Sequence, residues 1–143
     1  DTGALVVGMM LAITAIHFIN HNYNLPAEHA YRFSGSVAPA ICFIIVPLVD
    51  TMRIFILRIA RKQSPFTPDK SHIHHSIMRL GFSHRKTTIL LSFIQSFYIV
   101  MAIFMHSVND NYLLLTVMLL SVALSVALDQ LILTRLNKDE QSV

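Results

Sequence analysis

Of 143 residues, 54% are hydrophobic and 13% charged, and the formal net charge is +3; a typical soluble domain carries about 25% charged residues. A soluble domain of this size still leaves roughly 30% of its unfolded surface in water, so this composition argues against a soluble globular fold. The single cysteine, Cys42, excludes an intramolecular disulfide framework.

The first apolar stretch covers residues 3–20 and holds two small positions suited to close helix packing, Gly3 and Gly8, with His17 as a lone polar group. The chain opens on Asp1, without an initiator methionine or a basic leader, and this is read as a cut inside a longer protein. A polar connection over residues 21–35 contains Asn22, Asn24, Pro26, Glu28 and Arg32. The second apolar stretch covers residues 36–59. Near its end, Asp50 and Arg53 stand three apart, which suits either an i, i+3 ion pair or a functional site, and Arg58 is expected to snorkel. The connection over residues 61–86 is long and basic, with Arg61, Lys62, Lys70, Arg79, Arg85 and Lys86.

The third apolar stretch covers residues 87–105, where Gln95 is a candidate for a hydrogen bond between helices. A short turn without a basic residue leads to the fourth, residues 112–133, in which Asp129 lies near an interface and is expected to reach water. Each stretch approaches the roughly 20 residues that a helix needs to cross about 30 Å of hydrocarbon. None alternates with period two, against a β-barrel, and residues 113–128 show almost no polar face, against a soluble bundle. The expected fold is all-α: a polytopic integral membrane protein with four transmembrane helices. Lys and Arg gather on the cytoplasmic side of membranes. The 61–86 loop and the tail with Arg135 and Lys138 are therefore expected inside, and crossing parity brings Asp1 to the same face. Asp110 is expected outside.

The segment Ser64-Pro65-Phe66-Thr67-Pro68-Asp69-Lys70-Ser71-His72-Ile73-His74-His75 carries the chemistry. Its two prolines bar a continuous helix, after which Asp69 or Ser71 can cap a short helix ending at Gly81. On a helical wheel, His72, His75, Ser76 and Arg79 share a polar face and His74 points elsewhere. Two imidazoles and a guanidinium beside Lys70 suit a phosphate or diphosphate. A metal reading is weaker, because the only carboxylate in the segment is Asp69 and neighbouring cations repel a metal. Interfacial polar residues without a ligand are the remaining reading.

This segment, continued by Ser76-Ile77-Met78-Arg79-Leu80-Gly81-Phe82, resembles the cytoplasmic His-motif loop of polyprenyl-phosphate N-acetylhexosamine-1-phosphate transferases, in particular the bacterial UDP-GlcNAc:undecaprenyl-phosphate branch. Pro47-Leu48-Val49-Asp50-Thr51-Met52-Arg53 resembles the Pro-x-x-Asp-Thr-x-Arg segment that precedes that loop, and Asp1-Thr2-Gly3-Ala4-Leu5 resembles the Gly-Asp-x-Gly-Ser-Leu motif. Ala4 replaces the usual Ser, and Lys70 stands where Arg is more common.

The resemblance implies transfer of a sugar 1-phosphate from a UDP-N-acetylhexosamine to undecaprenyl phosphate, releasing UMP at the bacterial inner membrane and starting lipid-linked envelope glycan synthesis. It implies Mg²⁺, with Mn²⁺ as the substitute, held by Asp1. It also implies that Asp1, His72, His74 and His75 are catalytic, and that His72, His75, Lys70 and Arg79 bind substrate phosphates. A bilayer setting, no nucleic-acid partner and a homodimer complete the expectation. The family's paired aspartates have no counterpart here, so the fragment alone is expected to be inactive. A transporter or channel fragment with a cation-binding His loop is the alternative from another class.

Overall fold

The computed structural model of the chain describes residues 2–64 and 72–140. These form five helices: α1 (Thr2–Asn24), α2 (Val37–Ala60), α3 (Ile73–Arg79), α4 (His84–Phe104) and α5 (Asp110–Glu140). Four contain segments long and apolar enough to cross a membrane: Leu5–Asn24, Val37–Ala60, His84–Phe104 and Asp110–Leu131. Only 11% to 22% of each apolar window is buried inside the protein. Side chains such as Leu5, Phe93 and Phe104 face outward, an arrangement that is unfavourable in water and favourable in an apolar surrounding such as lipid. The chain is a multi-pass all-α membrane protein. The helices overrun the apolar stretches: α1 continues through Asn24, and α5 begins at Asp110 and runs to Glu140.

The chain divides into two compact units, Asp1–Ile45 with Gln95–Met118, and Val46–Ile94 with Leu119–Val143. In the first, Ala38, Ala40, Cys42, Ile45, Tyr98, Ala102, Leu113 and Val117 are buried. The small residues on α2 permit close backbone approach, which is how helices associate where lipid removes the hydrophobic drive. Gln95 donates its Nε2–H to the Cys42 carbonyl at 2.7 Å. The turn after α1 is built on buried Asn22, whose Oδ1 accepts from the Phe33 amide at 2.8 Å. Its Nδ2 donates to the Phe33 carbonyl at 3.1 Å and to the Ser36 hydroxyl at 2.8 Å.

The start of α2 is capped from far along the chain. Asp110 accepts from the amides of Val37 (3.0 Å) and Ala38 (2.9 Å), Pro39 has no N–H to satisfy, and the Ala40 amide reaches the Ser36 carbonyl at 3.3 Å. The orphan donors of this helix end are thereby accounted for. Gly35 makes the approach possible, since a Cβ there would overlap the Asp110 side chain.

In the second unit Ile54 and Ile77 are buried together with Arg58, Ser76, Thr87 and Ser121. Arg58 was expected to extend toward headgroups; instead it is packed into the unit at 8% exposure. Directly after it the chain turns sharply: the Gln63 amide donates to the Arg58 carbonyl at 2.9 Å and the Lys62 amide to Ile59 at 3.0 Å. This is a Schellman closure with Lys62 in the left-handed conformation, φ 56°, where glycine is usual. At the end of α3 the same role falls to Gly81, φ 89°.

Candidate functional site

The site is built from the second unit, on the motif segment that the sequence singles out. α3 is only two turns long and makes no side-chain cap of its own; His72 occupies the N-cap position with φ −58° and ψ 150°. The acceptor comes from α2. Asp50 Oδ1 accepts from the Ile73 amide at 2.8 Å, and Asp50 Oδ2 lies 3.0 Å from His72 Nδ1. One carboxylate therefore holds both the first amide of α3 and the ring beside it. Asp69 and Ser71, the expected caps, lie outside the described residues.

The three imidazoles form one cluster. His72 and His74 are stacked, with ring centroids 6.0 Å apart at 14°, and His74 and His75 lie 4.0 Å apart at 38°. This corrects the helical-wheel expectation that set His74 apart. His72 is outside the helix, with extended ψ, so the 100° step does not apply across it. Ser76, expected on an open polar face, is buried beside Ile77. Arg79 is exposed in the last turn. Partial burial pushes the His74 pKa below its ordinary 6.5, and the neighbouring charges of His75 and His72 act in the same direction, with Asp50 opposing.

Asp50 does not pair with Arg53 in the way the i, i+3 spacing suggested. Arg53 is joined instead to Asp129 of α5, with an Nε–Oδ2 separation of 3.2 Å and a second guanidinium contact to Oδ1. Asp129, expected to reach water, is held by that ion pair. Two lone carboxylates of the sequence thus find partners that no local spacing discloses. The signal that could have singled out Asp50 was its charge within a span, a functional hypothesis by default.

Asp1 and Lys70 lie outside the described residues. Among the described ones, no group of three or more His, Cys, Asp or Glu residues can hold a metal ion. Both oxygens of Asp50, the carboxylate at the His cluster, are engaged by protein groups. The described residues do not assemble a divalent-cation site by themselves. They present a hydrogen-bonding imidazole set, with the first α3 amide already taken by Asp50.

No protein-family profile matches the chain, and no solved structure does. Curated relatives do. The chain is 34% identical over 92 residues to an undecaprenyl-phosphate alpha-N-acetylglucosaminyl 1-phosphate transferase of Yersinia pestis, covering 64% of this chain and 23% of that protein. It is 33% identical over 107 residues to a probable undecaprenyl-phosphate N-acetylglucosaminyl 1-phosphate transferase of Bacillus subtilis, covering 75% and 27%. It is 30% identical over 94 residues to a decaprenyl-phosphate N-acetylglucosaminephosphotransferase of Mycolicibacterium smegmatis, covering 64% and 23%. The matches span about a quarter of the length of these relatives. Three independent motifs in order and these matches place the chain in the polyprenyl-phosphate N-acetylhexosamine-1-phosphate transferase family.

Proposed function

We propose that the whole protein transfers N-acetylglucosamine 1-phosphate from UDP-GlcNAc to undecaprenyl phosphate in the bacterial inner membrane. A phosphate oxygen of the lipid attacks the sugar-bearing phosphorus of the donor. The bond from that phosphorus to the bridging oxygen breaks, and UMP leaves. The observation that carries this reading is the imidazole cluster at residues 72–75, held on α2 by Asp50, in the segment that resembles the family's His motif.

Phosphoryl transfer depends mainly on positioning and on neutralising charge. His72 and His75 supply hydrogen bonds to the donor's diphosphate, Arg79 and Lys70 supply positive charge around it, and His74 spaces the two rings. Mg²⁺, or Mn²⁺ in its place, belongs to the proposal through Asp1, as does a homodimeric state. The His loop, Asp1 and the C-terminal tail are placed on the cytoplasmic face, where a nucleotide sugar is available. The transporter alternative is not favoured, because the relatives are transferases.

Membranes carrying the whole protein, given radiolabelled UDP-GlcNAc and undecaprenyl phosphate, should form a lipid-linked diphosphate sugar and release UMP. Failure of both products to appear in the presence of Mg²⁺ rejects the reading. Reporter fusions at Pro68 and Asn109 should give opposite signals, and equal signals reject the topology.

A further inference from the structure

The two oxygens of Asp50 serve different groups, and the difference has a chemical consequence. Oδ1 accepts from the Ile73 amide at 2.8 Å and closes the start of α3; Oδ2 faces His72 Nδ1 at 3.0 Å. An ionised carboxylate only accepts, so Nδ1 carries the proton. Nε2, on the opposite edge of the ring, is then the nitrogen left for a ligand, and the side chain keeps 46% of its surface exposed while Asp50 keeps 15%. With Nδ1–H so committed, the ring can donate to an anion from Nε2 only as an imidazolium, and Asp50 supplies the counter-charge. We propose that Asp50 is a positioning residue: it fixes His72 with Nδ1–H turned into α2 and Nε2 turned out toward the phosphate oxygens of the nucleotide-sugar donor. This rests on the transferase reading above.

The bland account is that Asp50 merely caps α3, and Asp50→Asn separates the two. Asn and Asp serve equally as acceptors at a helix start, so a cap survives the change. The His72 clamp does not survive it. With the amide oxygen kept by Ile73, the NH₂ group of Asn donates to Nδ1, which moves the ring proton to Nε2 and removes the counter-charge. The hydrogen bond to the donor's phosphate then comes from a neutral ring and loses the imidazolium's charge, which corresponds to about a ten-fold loss.

The experiment uses the whole protein in detergent, labelled with ¹⁵N-histidine, and assays it with UDP-GlcNAc and undecaprenyl phosphate. In the wild type, neutral His72 should show a protonated Nδ1 and an unprotonated Nε2, and Asp50→Asn should invert that pattern. The same variant should raise KM for UDP-GlcNAc about ten-fold with a smaller change in kcat. In a His72→Ala background it should have no further effect. An unchanged nitrogen pattern, an unchanged KM, or a loss that adds fully to that of His72→Ala overturns the proposal while the transferase reading stands. Absence of turnover in the wild type overturns the transferase reading and with it the phosphate role of His72, and the nitrogen resonances then decide the Asp50–His72 clamp separately.

Discussion

Arg53 and Asp129, 76 residues apart in the chain, are joined as an ion pair between α2 and α5. The Arg53 side chain is 11% exposed and that of Asp129 34%. Asp129→Ala leaves a largely buried guanidinium without this carboxylate, a change that costs about 3–5 kcal/mol for a fully buried pair. Because Asp129 is a third exposed, about 1–3 kcal/mol is expected here. Thermal unfolding in detergent of Arg53→Leu, Asp129→Ala and the double variant should give a coupling energy of at least about 0.5 kcal/mol. Additive losses would show that the pair does not stabilise this unit.

His72 and His75 are expected to lose about ten- to a hundred-fold in kcat/KM on replacement by Ala, the cost of a hydrogen bond to a charged group. His74 is different. Its ring lies against both of the others, and the proposed spacing role makes its contribution one of packing. His74→Phe keeps a stacking ring without a donor and should stay within roughly three-fold of wild type, a difference below about 0.7 kcal/mol. His74→Ala should be worse than His74→Phe. If Phe is as damaging as Ala, the imidazole nitrogens of His74 themselves bind the ligand.

The pH response of His74 has a definite sign. Its folded pKa lies below 6.5, so protonation favours the unfolded or undocked loop. Above pH 6.5 the group leaves stability unchanged; as pH falls from 6.5 toward the folded value, stability is lost. A ring-proton titration should place the His74 midpoint below 6.5, and His75→Ala should move it upward by removing a repelling neighbour. A midpoint at or above 6.5 contradicts the packing seen here.

Gly35 and Asp110 form a second testable pair. Gly35→Ala pushes a methyl into the carboxylate that caps α2 and should cost about 1–2 kcal/mol, the scale of a lost N-cap. In an Asp110→Ala background the same substitution should cost much less, because its obstacle is gone. Equal costs in both backgrounds would place the strain elsewhere.

The four long helices were legible in the sequence because a membrane span is a one-dimensional property, about 20 apolar residues in a row. Their side-chain partners were not. Asp50 meets His72, Asp110 meets Val37 and Arg53 meets Asp129 across separations of 22, 73 and 76 residues, which helix packing sets and local spacing cannot. The motif reading named the His residues but mis-set their geometry. A wheel drawn from residue 72 assumes helix one residue too early, and ψ 150° at His72 rotates that ring away from the drawn position.

The capping of α3 by Asp50 also bears on how the loop can be exchanged between proteins. A helix that supplies its own cap is portable: its start signal travels with it. Here the start signal lies on α2, 23 residues earlier. A chimaera that imports residues 72–81 from a relative should order its imidazoles only where the recipient offers a carboxylate at the position of Asp50. Grafts meant to alter donor choice therefore need the span and the loop moved as one piece.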